Sequence, residues 1–157
     1  MEIYISGAFG SGGTPMSAFD DALLKAGVAN FNLVRLSSVI PPGSRVVVAK
    51  PKFGPPDFGQ KLVCVYAAEW ARTKGESAYG GIGWIIDHEQ KGLFVEHEGR
   101  SRPEVEKAIK CSLTEMIARR PGFRGKRFTV RHKIVGGRST GQHRCALVVA
   151  AYRVERF

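Results

Sequence analysis

Only two stretches of this 157-residue chain have apolar residues at the three- and four-residue spacing of a helix. The remainder is predicted as strands separated by turns, in the order β-α-β-β-β-β-β-α-β-β. Strands that follow one another without an intervening helix pair mainly antiparallel. The sequence therefore predicts one α+β domain over residues 1–157, with mainly antiparallel or mixed sheets and helices on their outer faces.

Both predicted helices carry recognisable start signals. Thr14 is suited to N-cap the first helix, Pro15 to occupy its first position and Gly27 to end it. The second helix follows Ser101-Arg102-Pro103-Glu104, which has the spacing of a capping box, and continues to about residue 119. These signals fix the two helical segments before any tertiary contact is known.

The glycine-rich stretch SAYGGIGWIID, residues 77–87, invites a comparison with phosphate-binding loops. It matches neither the GxGxxG pattern followed by a helix nor a loop ending in Lys-Ser/Thr. Glycines inside a strand more often mark close approach of neighbouring groups. We therefore interpret this stretch as a tightly packed strand.

The positive charge of the chain lies in its last third. Residues 1–99 contain 9 Lys or Arg and 10 Asp or Glu, whereas residues 100–157 contain 15 and 4. The excess is densest in RRPGFRGKRFTVRHK, residues 119–133, and a basic segment with aromatic residues is one signature of nucleic-acid binding. Because the charges are spread over a helix end, a turn and a strand, the interpretation favours a solvated surface over nucleic acid.

The cysteine pattern argues against a disulfide scaffold or a metal site. The three cysteines are far apart, no CxxC occurs, and the four histidines have no ligand spacing with them. No apolar run of about 18 residues predicts a membrane span, and the N-terminus lacks the basic region of a secretory signal. We expect reduced thiols in a cytoplasmic protein without a metal.

A pair of serines stands at an unusual position in NFNLVRLSSVIPPGS, residues 30–44. Ser37 and Ser38 follow an apolar segment predicted as a strand over residues 30–37. Two prolines come shortly after, and Pro41 restricts Ile40 to extended geometry. The two hydroxyls thus lie where the chain is stiff on both sides.

A family resemblance is carried by GGTPMSAFDDALLKAGVANFNLVRLSSVIPP, residues 12–42. It resembles the pyruvoyl-dependent arginine decarboxylases, with a Gly-x-Thr-Pro helix start, Ala-Phe-Asp, Leu-Leu-x-Ala-Gly, Asn-Leu-x-Arg-x-Ser-Ser and Pro-Pro in order and without a gap. GLFVEHEG, residues 92–99, and the helix after it resemble the second block of the family. The resemblance implies a four-layer αββα sandwich, a homotrimer with active sites at subunit interfaces, and no pyridoxal phosphate or metal.

The resemblance also implies that the chain cuts itself between Ser37 and Ser38, giving a β chain 1–37 and an α chain 38–157. The Ser38 hydroxyl can attack the Ser37 carbonyl carbon and convert the amide into an ester. Elimination then releases the Ser37 carboxylate, and hydrolysis of the resulting dehydroalanine leaves a covalent pyruvoyl group derived from Ser38. Only a residue with a heteroatom on Cβ supports this chemistry.

Three further side chains receive roles from the resemblance. Asn32 would stabilise an oxyanion or orient the pyruvoyl group, and it shares a face with Ser38 if the strand runs regularly to the serines. Glu96 would deliver the proton during decarboxylation, with Glu98 as the alternative because both have the same parity in their strand. Asp20 would bind the guanidinium of arginine, although Asp21 beside it changes the local charge.

The sequence leaves three candidate functions for this protein. The first is decarboxylation of L-arginine to agmatine, and the second is the same pyruvoyl chemistry on another amino acid. The third is an unprocessed binding protein on this fold that uses its basic last third. The intact serine pair, Asn32 and Glu96 favour an enzyme over a binder.

Overall fold

The computed structural model describes all of residues 1–157 as two α-helices and nine strands. A single 3-10 turn, Pro55–Asp57, lies in the loop between the fourth and fifth strands. Neither helix combines the length and apolar composition needed to span a bilayer. The elements are β1 Glu2–Gly12, α1 Pro15–Ala26, β2 Asn32–Arg35, β3 Val39–Ile40, β4 Arg45–Val48, β5 Lys61–Ala71, β6 Ser77–Ile86, β7 Gly92–Gly99, α2 Arg102–Arg119, β8 Arg131–Arg138 and β9 His143–Glu155.

The strands form two sheets of mixed or antiparallel pairing. The first has the order β2-β5-β9-β1-β4, and the second has the order β3-β7-β6-β8. Strand β4 pairs parallel to β1 and β2 pairs parallel to β5, whereas every other pair is antiparallel. The predicted α+β class with mainly antiparallel or mixed sheets is confirmed.

Three apolar layers hold the elements together. A cluster that includes Ile5, Phe94 and Val148 fills the space between the two sheets. The buried alanines of α1 pack on the outer face of the first sheet, and the apolar face of α2 packs on the outer face of the second. The layer order is therefore α1, first sheet, second sheet, α2, which confirms the four-layer αββα sandwich.

The helix ends follow the predicted capping residues with one exception. The Thr14 hydroxyl accepts from the Ser17 amide at 3.1 Å, and Gly27 ends α1 with a φ of 80°. Ser101 caps α2, but the predicted capping box is wrong in its second half. The Glu104 carboxylate accepts from the Arg100 amide at 2.8 Å and leaves the Ser101 amide free. The carboxylate thus binds one residue earlier than the capping box requires.

Two glycines of β6, Gly81 and Gly83, pack against α2, which agrees with the interpretation of a tightly packed strand. A Cβ at Gly83 would lie 2.1 Å from Cγ2 of Ile109, and one at Gly81 would lie 2.7 Å from Cγ1 of Val105. Both distances are far below van der Waals contact. The absence of side chains therefore lets α2 approach the second sheet closely.

The strand predicted before the serine pair is too long at both ends, and one short strand was missed. The strand expected over residues 30–37 covers only Asn32–Arg35, and the two-residue strand Val39–Ile40 was not predicted. A strand of only two residues is too short to show the alternation of apolar and polar side chains by which strands are predicted. Strand β8 starts at Arg131, after a segment that folds back and packs Phe123 against Phe128 with ring centroids 5.3 Å apart.

Candidate active site

The chain passes from the first sheet to the second at the peptide bond between Ser37 and Ser38. On one side, the Leu36 amide donates to the carbonyl oxygen of Cys64 in β5 at 2.9 Å. On the other side, the Phe94 amide in β7 donates to the carbonyl oxygen of Ser38 at 2.8 Å. The bond between the serines is thus anchored to a different sheet at each end.

Ser38 has a strained backbone conformation. Its φ is 68°, in the left-handed region that residues with a Cβ rarely adopt. The conformation costs roughly 1–2 kcal/mol for an L-residue. The anchoring of the flanking backbone maintains it, so the fold holds the Ser37–Ser38 bond in a geometry that a free peptide would leave.

The hydroxyl of Ser38 faces the carboxylate of Glu96. Its Oγ lies 2.7 Å from Oε1 and 2.8 Å from Oε2. The antiparallel register of β3 on β7 pairs Val39 with Leu93. Continued by one residue, this register places Ser38 opposite Phe94, which precedes Glu96 by two positions in β7. The structure therefore brings together two side chains that are 58 positions apart in the sequence.

Burial raises the pKa of Glu96 above the ordinary 4.5 of a glutamate. Only 13% of its side chain is exposed. The hydrogen bond from Ser38 and the positive charge of Arg35 lower the pKa, but they offset burial only in part, and the charge of Glu98 adds to the increase. Glu96 is thus a shielded carboxyl group that holds its proton to a higher pH than an exposed glutamate does.

Arg35 completes the surroundings of Glu96, and sequence reasoning gave it no role. Its Nη2 lies 4.0 Å from Oε2 of Glu96, and its guanidinium carbon lies 5.0 Å from the ring centroid of Tyr66. The arginine is one of the fixed positions in the Asn-Leu-x-Arg-x-Ser-Ser motif. That position was the available signal, but its spacing does not reveal that the side chain turns toward β7.

Tyr152 is a second residue beside the serine pair to which the sequence analysis gave no role. Its hydroxyl donates to the carbonyl oxygen of Val39 at 3.0 Å, and its ring packs at 72° to that of Phe94 with centroids 6.0 Å apart. Burial raises the pKa of its hydroxyl. The residue fixes the chain directly after Ser38, and nothing in the local sequence of β9 marks it.

Asn32 lies away from the serines within a single chain. Its amide donates to the carbonyl oxygen of Gly59 at 2.7 Å, and no hydrogen bond joins it to Ser38 or Glu96. The assumption of a regular strand from Asn32 to the serines is wrong, because β2 ends at Arg35 and Ser38 is left-handed. The alternation of side chains therefore does not connect the two residues.

Asp20 is exposed on α1 and makes no ion pair or side-chain hydrogen bond within the chain. The neighbouring Asp21 is occupied: its carboxylate accepts from the Ser11 amide at 2.7 Å and from Nζ of Lys25 at 2.6 Å. The hydrogen bond from Lys25, followed by that from Ser11, lowers the pKa of Asp21. Asp21 therefore stabilises α1 and the strand before it through local contacts, whereas the Asp20 carboxylate has no partner within the chain.

Glu98 occupies a different neighbourhood from Glu96. It is exposed, and its Oε1 accepts from the Ala68 amide at 3.3 Å. Strand parity alone allowed either acid to meet the serines. The structure brings only Glu96 into hydrogen-bonding contact with Ser38.

These features define a class of protein: an αββα sandwich in which a strained serine at a sheet crossover faces a shielded carboxyl group. The sequence matches the family described as pyruvoyl-dependent arginine decarboxylase over residues 2–156. The chain belongs to this family. It is accordingly a decarboxylase whose cofactor is a covalent pyruvoyl group.

Individual relatives carry the same description. A pyruvoyl-dependent arginine decarboxylase of Pyrococcus horikoshii is 37% identical over 147 residues, which are 92% of this chain and 88% of the relative. One of Halobacterium salinarum is 35% identical over 150 residues, covering 92% and 91%. One of Methanocaldococcus jannaschii is 36% identical over 102 residues, which span 63% of this chain and 59% of that relative.

The residues around Ser38 fit a pyruvoyl group derived from that serine. Ser38 carries the required Cβ heteroatom, and the Phe94 amide already binds its carbonyl oxygen. Glu96 places a shielded carboxyl group against the Ser38 hydroxyl, and Arg35 places a positive charge 4.0 Å from that carboxyl group. No cluster of three or more His, Cys, Asp or Glu side chains with metal-binding geometry occurs.

Proposed function

We propose that this protein decarboxylates L-arginine to agmatine and CO2 with a pyruvoyl group that it makes from Ser38. The observation that carries the proposal is the strained Ser38 with its hydroxyl on the Glu96 carboxylate. Its relatives are named for arginine, and an exposed, unpaired Asp20 is available for a guanidinium. The proposal thus has two parts: L-arginine is the substrate, and the chain is cleaved between Ser37 and Ser38.

Self-processing begins with the Ser38 hydroxyl. Glu96 takes the hydroxyl proton as the Ser38 oxygen bonds to the carbonyl carbon of Ser37. The C–N bond of the amide then breaks, its nitrogen gains a proton, and an ester joins the two residues. The anchored backbone on both sides limits the motion of the reacting groups, which favours the attack.

The ester is then eliminated. Loss of the Cα proton of residue 38 expels the Ser37 carboxylate as the new C-terminus of the β chain 1–37. Water adds to the remaining dehydroalanine, ammonia leaves, and the α chain 38–157 begins with a ketone. Only the carbonyl of Ser37 takes part, so the hydroxyl of Ser37 is dispensable.

Glu96 changes its role once Ser38 has been converted. The Ser38 hydroxyl bond is one of the factors that keep the Glu96 pKa down, and processing removes that donor. The carboxyl group therefore becomes easier to protonate. When formed, the pyruvoyl group supplies an electron sink for the loss of CO2. Glu96 then holds the proton that replaces the carboxylate on the substrate Cα.

Asp20 and Asn32 enter the site from a neighbouring subunit in this proposal. Both are exposed in the single chain, and the large apolar side chains on either side of the serines are exposed as well. Exposed apolar groups of this kind favour a subunit interface. They support a homotrimer of αβ units with interface active sites; the apolar residues are Val34, Leu36 and Val39, at 39%, 38% and 53% exposure.

We also place the protein in the cytoplasm. Its three cysteines are free, and Cys64 and Cys145 are buried in the layer between α1 and the first sheet. Free thiols suit a reducing compartment. Fractionation of expressing cells, followed by detection of the α chain, tests this placement.

Intact mass and product analysis test the function directly. We expect the purified protein to separate into fragments 1–37 and 38–157 under denaturing conditions, the larger one resisting Edman degradation. Incubation with L-arginine should release CO2 and agmatine in equal amounts. Ornithine and lysine, tested in parallel, distinguish arginine from other amino-acid substrates.

Two matched variants locate the chemistry. Ser38→Ala should remain full-length, whereas Ser37→Ala should still cut because its carbonyl is unchanged. A wild-type chain that stays uncut and inactive would refute the enzyme. Cleavage combined with a strong preference for another amino acid would refute arginine as the substrate.

A further inference from the structure

A pocket of about 450 Å³ opens between the β3–β4 turn and the segment that precedes β8. It has the size of a site for a small ligand. The residues that line it include Arg45, Arg127 and Arg131, and they include no aspartate or glutamate. Arg127 and Arg131 belong to the basic stretch 119–133, which the proposed decarboxylation does not use.

Most of this positive charge is uncompensated. Arg45 pairs with Glu2, whereas neither Arg127 nor Arg131 forms an ion pair within the chain. Guanidinium groups that converge on one concave surface repel each other unless an anion lies between them. The pocket therefore has a net positive charge that calls for a multiply charged anion.

Two neutral donors in the lining also lack partners. The Ser44 hydroxyl and the indole N–H of Trp84 are buried without a hydrogen bond. Their residues are 1% and 4% exposed, and both contribute to the wall of the pocket. Buried donors without acceptors are rare in proteins, because leaving them unpaired costs free energy. An acceptor-rich ligand would remove that cost once either side chain turned its donor toward the pocket.

We propose that this pocket is a binding site for a small phosphorylated anion carrying at least two negative charges. Guanidinium forks match the oxygens of a phosphate group, and a phosphate group brings more charge per volume than a carboxylate. A nucleic-acid backbone fits less well, because the three arginines line one pocket and do not follow an extended groove.

Trp84 provides a physical link between the pocket and the serine site. Its ring lies 6.5 Å from that of Phe94 in a T-shaped arrangement, and the Phe94 amide binds the carbonyl of Ser38. The chain contains only one other tryptophan, Trp70. In Trp70→Phe, fluorescence therefore reports on Trp84 alone, and a ligand in the pocket should change it.

Titration calorimetry with inorganic pyrophosphate tests the site on the full-length protein. We expect saturable binding with a dissociation constant below about 1 mM, and a fluorescence change in Trp70→Phe at the same concentrations. Arg127→Gln and Arg131→Gln should each weaken binding about tenfold or more, since each removes charge-assisted hydrogen bonds. Arg124→Gln is the matched control, because it removes one charge from the same segment outside the pocket.

Three results would overturn the proposal. The first is no pyrophosphate binding, and the second is an equal loss in Arg124→Gln, which would indicate a general charge effect. The third is citrate or a single-stranded oligonucleotide binding more tightly than pyrophosphate at equal ionic strength. All variants should retain self-cleavage and arginine turnover without added anion, which separates this site from the proposed decarboxylation.

Discussion

The Ser38 hydroxyl donates to both carboxylate oxygens of Glu96, at 2.7 and 2.8 Å, across the junction of two sheets. In the proposed self-processing, Ser38 is the member of this pair that is consumed. Because the hydroxyl bond opposes the effect of burial on the Glu96 pKa, its loss raises that pKa further. A single carboxyl group can thus act as a base before cleavage and as an acid afterwards.

Replacement of Glu96 should impair both reactions. In Glu96→Gln the side chain keeps its shape but can neither accept the Ser38 proton nor deliver one to the product. We expect self-cleavage to slow by roughly 10²–10⁴-fold and decarboxylation by a similar factor. Electrophoresis over time measures the first, and agmatine formation by any processed fraction measures the second.

Glu98→Gln is the matched control for that experiment. It lies two residues along the same strand and contacts the Ala68 amide at 3.3 Å instead of Ser38. Near-normal cleavage and turnover are expected. Loss of activity in Glu98→Gln together with retained activity in Glu96→Gln would reverse the assignment.

The two reactions should respond to pH in opposite directions. Burial raises the Glu96 pKa above 4.5, so cleavage, which needs the carboxylate, should slow as pH falls through that raised value. Decarboxylation needs the carboxylic acid, so kcat of the processed enzyme should fall as pH rises through a still higher value. Rates measured separately on precursor and processed protein test this. Parallel pH profiles would contradict the exchange of roles.

Asp20 should determine the affinity for the guanidinium group. Its carboxylate has no partner in the chain, and a bidentate guanidinium–carboxylate contact contributes about 1.5–3 kcal/mol. Asp20→Ala should therefore raise KM for arginine about 10- to 100-fold with little change in cleavage. Asp21→Asn is the control, since Asp21 is held by Ser11 and Lys25. An unchanged KM in Asp20→Ala would exclude this role.

The close packing of α2 on the second sheet should not tolerate a methyl group at Gly83. An alanine there would place Cβ 2.1 Å from Cγ2 of Ile109, which forces the helix or the isoleucine to move. We expect Gly83→Ala to lower the free energy of unfolding by about 1–3 kcal/mol. Urea denaturation measures the change. Gly122→Ala, which has open space around the added Cβ, should stay within about 0.5 kcal/mol of wild type.

The sequence predicted the elements whose signals are local. Thr14, Gly27 and Ser101 mark helix ends by their own chemistry, and the run of strands between two helices limits the fold to layered sheets. The interpretation of Gly81 and Gly83 as packing positions also holds. The family motif directed attention to Ser37 and Ser38 before any geometry was known.

The tertiary structure decided which side chains meet. Glu96 and Glu98 have equal parity, so only the register of β3 on β7 could select the acid that contacts Ser38. The assumed continuous strand from Asn32 failed because the chain leaves the first sheet at the serines and joins the second.

By itself, then, the sequence determined the α+β class and the two helices, since short-range propensity and apolar periodicity specify them, and its family motif singled out the serine pair. The tertiary structure determined the strain at Ser38, its contact with Glu96 and the position of Arg35. It also brought Arg45 into one pocket with Arg127 and Arg131, more than 80 positions away in the chain. Contacts of this kind depend on how distant segments pair, and no local pattern encodes that pairing.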